Sequence, residues 1–165
     1  MAAVLVDVAE EIKEELNTAS AAGDFSLPFE AVRSWADWDE KLKDLDKLHV
    51  DVVSGGAKIK LADRVTLDYL VSVDIGIRKR FKDTDRNQDT GQFENASIDA
   101  LVLLQQEIFE FFAPMSADAG RALAALPEAV WKEFEPRVWV DRSLLRENDQ
   151  FMGIARIIHE VSRQP

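Results

Sequence analysis

Apolar and polar residues alternate almost without error from Val65 to Phe81. Val65, Leu67, Tyr69, Val71, Val73, Ile75 and Ile77 are apolar, and Phe81 resumes the pattern after Lys79. Thr66, Asp68, Ser72, Asp74, Arg78 and Arg80 lie between them. A period of two sends successive side chains to opposite faces of a sheet. At about 3.3 Å per residue the run would span roughly 55 Å, about three times the usual strand. One small domain offers too little core to cover it. The pattern therefore predicts that part of the strand projects and pairs with something else, a second copy of the same chain. One face (Val65, Leu67, Tyr69, Val71, Val73, Ile75, Ile77) is expected under helices. The other (Thr66, Asp68, Leu70, Ser72, Asp74) is expected to meet solvent or neighbours, with Leu70 and the bare backbone of Gly76 pointing to a partner.

Helical spacing appears twice. Leu5, Val8, Ile12, Leu16 and Ala19 recur every three or four residues within 2–22, and Gly23 follows as a C-cap. Ile98, Leu101, Leu104 (or Gln105), Ile108, Phe111 and Phe112 form a second stripe over about 94–112, which Pro114 ends. Between the two helices, residues 29–35 read as extended, and Asp37 or Asp39 can cap a short helix through Lys41, Leu42 and Leu45. Residues 48–53 read as a strand, Ser54-Gly55-Gly56 as a turn, and 58–61 as a return to alternation. The segment 48–81 is thus an antiparallel hairpin with a structured loop or an extra short strand at its tip. Beyond the second helix, 115–135 reads as one or two weak helical turns anchored by Leu123, Leu126, Val130, Trp131 and Phe134. A short strand follows Pro136, and 151–161 is a last strand, with Phe151, Gly153, Ala155, Ile157, His159 and Val161 on one face. No βαβ succession is visible. The prediction is a single α+β domain over 1–165, its sheet mostly antiparallel with a long projecting β-hairpin and two main helices packed on one face.

Composition narrows the chemistry. The 165 residues are 47% hydrophobic, enough for a core, and carry a net charge of −11. Such an excess of acid disfavours wrapping on nucleic acid or anionic lipid; it suits solubility, or a surface past which DNA slides. There is no cysteine, which excludes disulfides and thiolate ligation. His49 and His159 stand far apart in sequence. No signal peptide or membrane span is expected, and the chain is expected to fold in a reducing cytoplasm.

Four features invite a chemical reading. Asp83, Asp85, Asn87, Asp89 and Glu94 fall at positions 1, 3, 5, 7 and 12 of a calcium loop. Gln88 replaces the turn glycine, however, and a strand precedes the loop where a helix is required, so a solvated acidic connection explains the same residues. Paired carboxylates (Asp37/Asp39, Asp44/Asp46, Glu107/Glu110) lack a flanking His, Ser or Lys in any acid–base arrangement, and no catalytic residue, cofactor or metal is assigned. The cluster Arg78, Lys79, Arg80 and Lys82 reads either as charge blunting a sheet edge or as a patch complementary to an acidic neighbour. Among the four tryptophans, Trp38, between Asp37 and Asp39, is the one expected at an interface. The interface candidates are Trp38, Asp68, Leu70, Ser72, Asp74, Arg78 and Arg80.

A helix, a strand, a Leu-rich acidic turn (Lys41 to Leu48) and His49-Val50-Asp51-Val52-Val53 lead into the long strand Tyr69-x-Val71-x-Val73-x-Ile75-x-Ile77. That order resembles the small tail-terminator or tail-completion (neck) proteins of long-tailed bacteriophages. The second helix, and Arg142-Ser143-Leu144-Leu145-Arg146-Glu147 leading into 151–161, fit the same pattern, so the resemblance covers most of the chain. It implies a structural virion protein of the tail or neck, assembled in the host cytoplasm as a homo-oligomeric ring, commonly of six copies. Such a ring caps the tail tube and joins it to the head–tail connector, and DNA passes through its lumen without specific binding. A head-completion or stopper protein, a calcium-binding interaction module and, least of all, a carboxylate hydrolase are the competing readings.

Overall fold

The structure is a computed structural model that describes residues 3–35, 45–63, 65–113 and 121–163. In chain order the elements are α1 (Val4–Ala22), β1 (Ala31–Ser34), β2 (His49–Leu61), β3 (Leu67–Arg80), α2 (Asn95–Phe112), β4 (Ala129–Val138), α3 (Arg142–Asn148) and β5 (Gln150–Arg163). The strands form one sheet in the order β1-β2-β3-β5-β4, antiparallel throughout except that β1 runs parallel to β2. This is the α+β fold that the periodicities predict, made mixed by one short strand. A parallel neighbour needs a long crossover, and the chain between Ser34 and His49 supplies it. The expected short helix through Leu42, and Trp38, lie outside the described residues.

The helices share one face of the sheet. Val8, Ile12, Leu16 and Ala19 of α1 and Leu101, Leu104, Ile108 and Phe112 of α2 are buried against Val50 and Val52 of β2, Val71, Val73, Ile75 and Ile77 of β3, and Phe151, Ala155, Ile157 and Val161 of β5. Burying each of the Val, Leu, Ile and Phe side chains contributes about 1.5–3 kcal/mol. Polar bonds fix the angle at which β1 leaves α1. The Asn17 side-chain amide donates to Ala31 O (3.1 Å) while its Oδ1 accepts from Ala31 N (2.6 Å). Ser20 Oγ donates to Phe29 O (2.7 Å) and lies 3.0 Å from the Phe29 N–H that donates to it. Across the sheet, Phe109 of α2 meets Phe134 (4.9 Å between ring centres) and Trp139 (5.6 Å), which seats α2 over β4.

Three sequence expectations need correction. Ser54-Gly55-Gly56 does not turn the chain; β2 runs straight through it, with a bulge between Ser54 and Gly56. Gly56 has φ +115°, a conformation that side chains resist, so the glycine accommodates the extra residue without reversing the strand. The reversal comes at 62–66, where Ala62 N donates to Thr66 O (3.0 Å). Second, 129–135 is the start of edge strand β4, not helical turns, and Pro136 sits within it. Proline is tolerated there because an edge strand has a side that owes no hydrogen bond to the sheet. Third, the hairpin is not a free two-stranded ribbon. β5 pairs with β3 over its whole length, from Arg80↔Gln150 to Leu67↔Arg163.

Candidate interaction surface

Two surfaces remain once the helices have covered their face: the opposite face of the sheet, and the distal half of the β2–β3 hairpin. On the opposite face, β3 presents Asp68, Leu70, Ser72 and Asp74, flanked by Ser162, Glu160, Ile158 and Arg156 of β5. Most of these polar groups are satisfied internally. Arg156 donates from Nε to Asp74 Oδ1 (2.7 Å) and from Nη2 to Oδ2 (2.9 Å), a fork that raises the guanidinium's pKa. Ser162 Oγ donates to Asp68 Oδ1 (2.6 Å), and Ser72 Oγ to Gly56 O (3.1 Å). Leu70 and Ile158 lie in the floor of a shallow cavity of about 610 Å³ whose rim carries Lys58, Lys132, Glu133 and Glu135. Asp68, Leu70, Ser72 and Asp74 are thus brought together on one half-buried face, as their spacing requires.

The basic interface candidates part company. Arg78 is buried and pairs with Asp51 across the β2–β3 ladder (2.7 Å), so it supports the sheet and does not present a contact surface. Arg80 is exposed at the end of β3, where its N–H donates to Leu45 O (2.7 Å). Because β3 is central, the cluster does not blunt an edge, as one of its readings supposed.

The acidic loop distributes its carboxylates to local tasks. Asp85 accepts from Lys82 N (2.8 Å) in a single 3-10 turn. Asn87 Oδ1 accepts from Asp89 N (2.9 Å) and Thr90 N (3.2 Å), while Asp83, Asp89 and Glu94 are exposed. Arg86 stands in their midst, 3.6 Å from Asp83 and 2.6 Å from Asp149. Among the described residues no group of three or more His, Asp or Glu side chains is placed to hold a metal ion. Of the paired carboxylates, Glu107 accepts from Ser26 N (2.9 Å) and Ser26 Oγ (2.8 Å), and Glu110 from Gln106 (2.7 Å), so each has its own structural partner. Asp37, Asp39 and Asp44 lie outside the described residues.

His159 is buried on the helix side of β5, opposite Trp131 and 6.4 Å from the Phe112 ring. Burial, reinforced by the Arg121 charge, lowers its pKa to about 4, so it is neutral at ordinary pH. Its Nδ1 and the Trp131 Nε1 have no hydrogen-bond partner among the described residues.

The hairpin's distal half is the less expected surface. β1 pairs with β2 only from Val50 to Val53; beyond that, among the described residues, the outer edge of β2 has no strand beside it. On the helix side of this stretch the core gives out. Ile59 is 61% exposed and Leu61 72%, and Val65, in the connection to β3, is 60% exposed. Lys58 and Lys60 occupy the other face, opposite Leu70 and Asp68. The interface candidates expected from sequence lie on β3 and its ends; the alternation at 58–61 is the signal in the sequence for the β2 surface. No helix among the described residues is long and apolar enough to cross a membrane. No protein-family model matches the chain, and no curated protein matches it in sequence.

Proposed function

We propose that this chain is a structural virion protein of the tail-terminator or tail-completion kind: it assembles as a ring that caps a phage tail tube, meets the head connector and lets DNA pass through its lumen. Its work on this reading is assembly, with no catalytic step. The observation that carries the proposal is the distal half of β2, whose outer edge has no strand beside it among the described residues and which bears the exposed Ile59 and Leu61. An unpaired strand edge is a template for pairing with another chain, and a partner that satisfies this one also covers Ile59 and Leu61. The −11 charge fits a passage that must not hold DNA. The order of elements supports the same reading through its resemblance to the phage proteins.

Negative-stain imaging of the purified chain, followed by mixing with tail tubes and separately with DNA-filled heads, tests it. The expected result is a ring with a central hole that caps tubes. A chain that stays monomeric at every concentration overturns the proposal, and rings that bind heads but not tubes move it to the head side of the joint.

A further inference from the structure

The two edges of the sheet differ in a way that specifies how copies would meet. β2 runs antiparallel to β3, β3 to β5 and β5 to β4, so the edge strands β2 and β4 run in opposite directions. Continuing the sheet from one copy into the next therefore sets β2 of one antiparallel to β4 of the other. Each edge is partly occupied. Among the described residues, β1 covers β2 at Val50–Val53, and residues 121–123 cover β4 at 129–131, through the Ala122↔Val130 bridge and the bond from Trp131 N to Arg121 O (2.8 Å). Among the described residues, 54–61 of β2 and 132–138 of β4 remain open.

The lysines of the β2 stretch and the carboxylates of the β4 stretch are opposite in charge, and Lys60 has Asp68 across its own ladder. Lys58 and Lys60 are exposed and have no carboxylate within ion-pair distance among the described residues. Among the described residues Glu133 is exposed and has no ion-pair partner, and Glu135 has Arg156 at 4.0 Å. The cations of β4 are engaged within their own copy: Lys132 with Glu160 (2.5 Å) and Arg137 with Asp74 (3.6 Å).

We infer that β2 of one copy adds to β4 of the next, head to tail, with Lys58 opposite Glu135 and Lys60 opposite Glu133. The inference rests on the ring-forming reading and names its interface. In an antiparallel pair, opposed residue numbers have a constant sum, so one register makes both charge pairs at once. The same register sets Ile59 opposite Phe134. Ile59 pairs with Tyr69 and Phe134 packs on Phe109, so both lie on the helix side, and the register buries apolar against apolar there while matching charge on the other face. Pro136 offers no N–H, which confines the ladder to the residues before it. A head-to-tail contact uses two different patches; repeated around an axis it closes into a ring where its rotation divides the full circle, and runs on as an open filament where it does not. A β2–β2 contact would set lysine against lysine.

Charge reversal tests this on the full chain, with circular dichroism to establish that each variant is folded; all four positions are exposed. K58E/K60E and E133K/E135K each place like charges across the contact, and the dissociation constant of the assembly should rise by roughly tenfold to hundredfold. The two variants mixed in equal amounts should assemble again, alternating around the ring, as should the fourfold swap alone. Alanine at both lysines should weaken assembly; stronger assembly would mean that the lysines only repel strangers, as edge lysines often do, and would overturn the inference. Wild-type rings indifferent to all four charges overturn this interface and leave the ring reading standing, whereas a monomeric wild type overturns both.

Discussion

Burial decides the chemistry of His159. A neutral imidazole can sit between Phe112 and Trp131; a cation there loses its water and faces Arg121. The folded-state pKa of about 4 lies below the ordinary 6.5. The unfolded chain therefore takes up the proton first as pH falls, and stability held in full above about 6.5 is lost progressively toward pH 4. At pH 4.5 the loss is roughly 2–3 kcal/mol. Urea unfolding at pH 7.5 and 4.5 should show wild type losing that much more than His159→Gln, which cannot charge; equal losses would show that His159 is not the titrating group. The period of two was enough to put His159 on the inner face beside Gly153 and Ala155. The sequence could not show that the Arg121 charge acts on it, since Arg121 stands almost forty residues away along the chain. Gly153 is a similar case. A Cβ there would come within 2.5 Å of the buried Gln105 side chain, which donates to Val138 O (2.9 Å), so this glycine answers to α2 and not to its own strand.

At the scale of elements, the features that sequence periodicity missed are mostly irregularities in strands. β4 carries bulges between Trp131 and Glu133 and between Pro136 and Val138. Each inserts a residue, so the inward-facing Trp131 and Phe134 fall three apart and mimic a helical stripe. The bulge at Ser54/Gly56 had the opposite effect: its glycines read as a turn and divided one strand into two. α3 is short, and its clearest signal is Asp141, whose Oδ1 caps Ser143 N (2.9 Å) and Leu144 N (3.0 Å). Long regular elements were legible because their buried faces repeat many times: α1 and α2 match their predicted spans within two residues. The bulge itself can be tested. Gly56 has open space around it, so Gly56→Ala meets no clash and suffers only backbone strain at φ +115°. That strain is about 1–2 kcal/mol, and Tm should fall by roughly 3–6 °C in a thermal melt. No change would mean that the strand relaxes its bulge freely and that its register is not fixed there.

The whole molecule sets a well-filled core against an unfinished edge. Over the proximal sheet, helices cover one face, and the β2–β3 ladder is reinforced by the Arg78–Asp51 pair. Toward the tip, the alternation continues, and Ile59 and Leu61 remain exposed on the face that the helices cover elsewhere. A protein optimised only for its own stability gains nothing from apolar side chains there. If assembly maintains them, removing them should separate the two properties. Ile59→Ser with Leu61→Ser discards little buried area in the monomer, so Tm should shift by no more than about 2 °C. In an assembly that covers this row, the same substitutions lose up to about 2–4 kcal/mol of burial, and the dissociation constant should rise by roughly tenfold or more. Because no charge changes, this loss should persist in high salt, where a contact made only of Lys–Glu pairs would already be weakened. Sedimentation velocity of the variant beside wild type, at low and high salt, reads both effects. A large fall in Tm with unchanged association would place these two side chains in the monomer's own fold and remove the exposed tip as an argument for assembly.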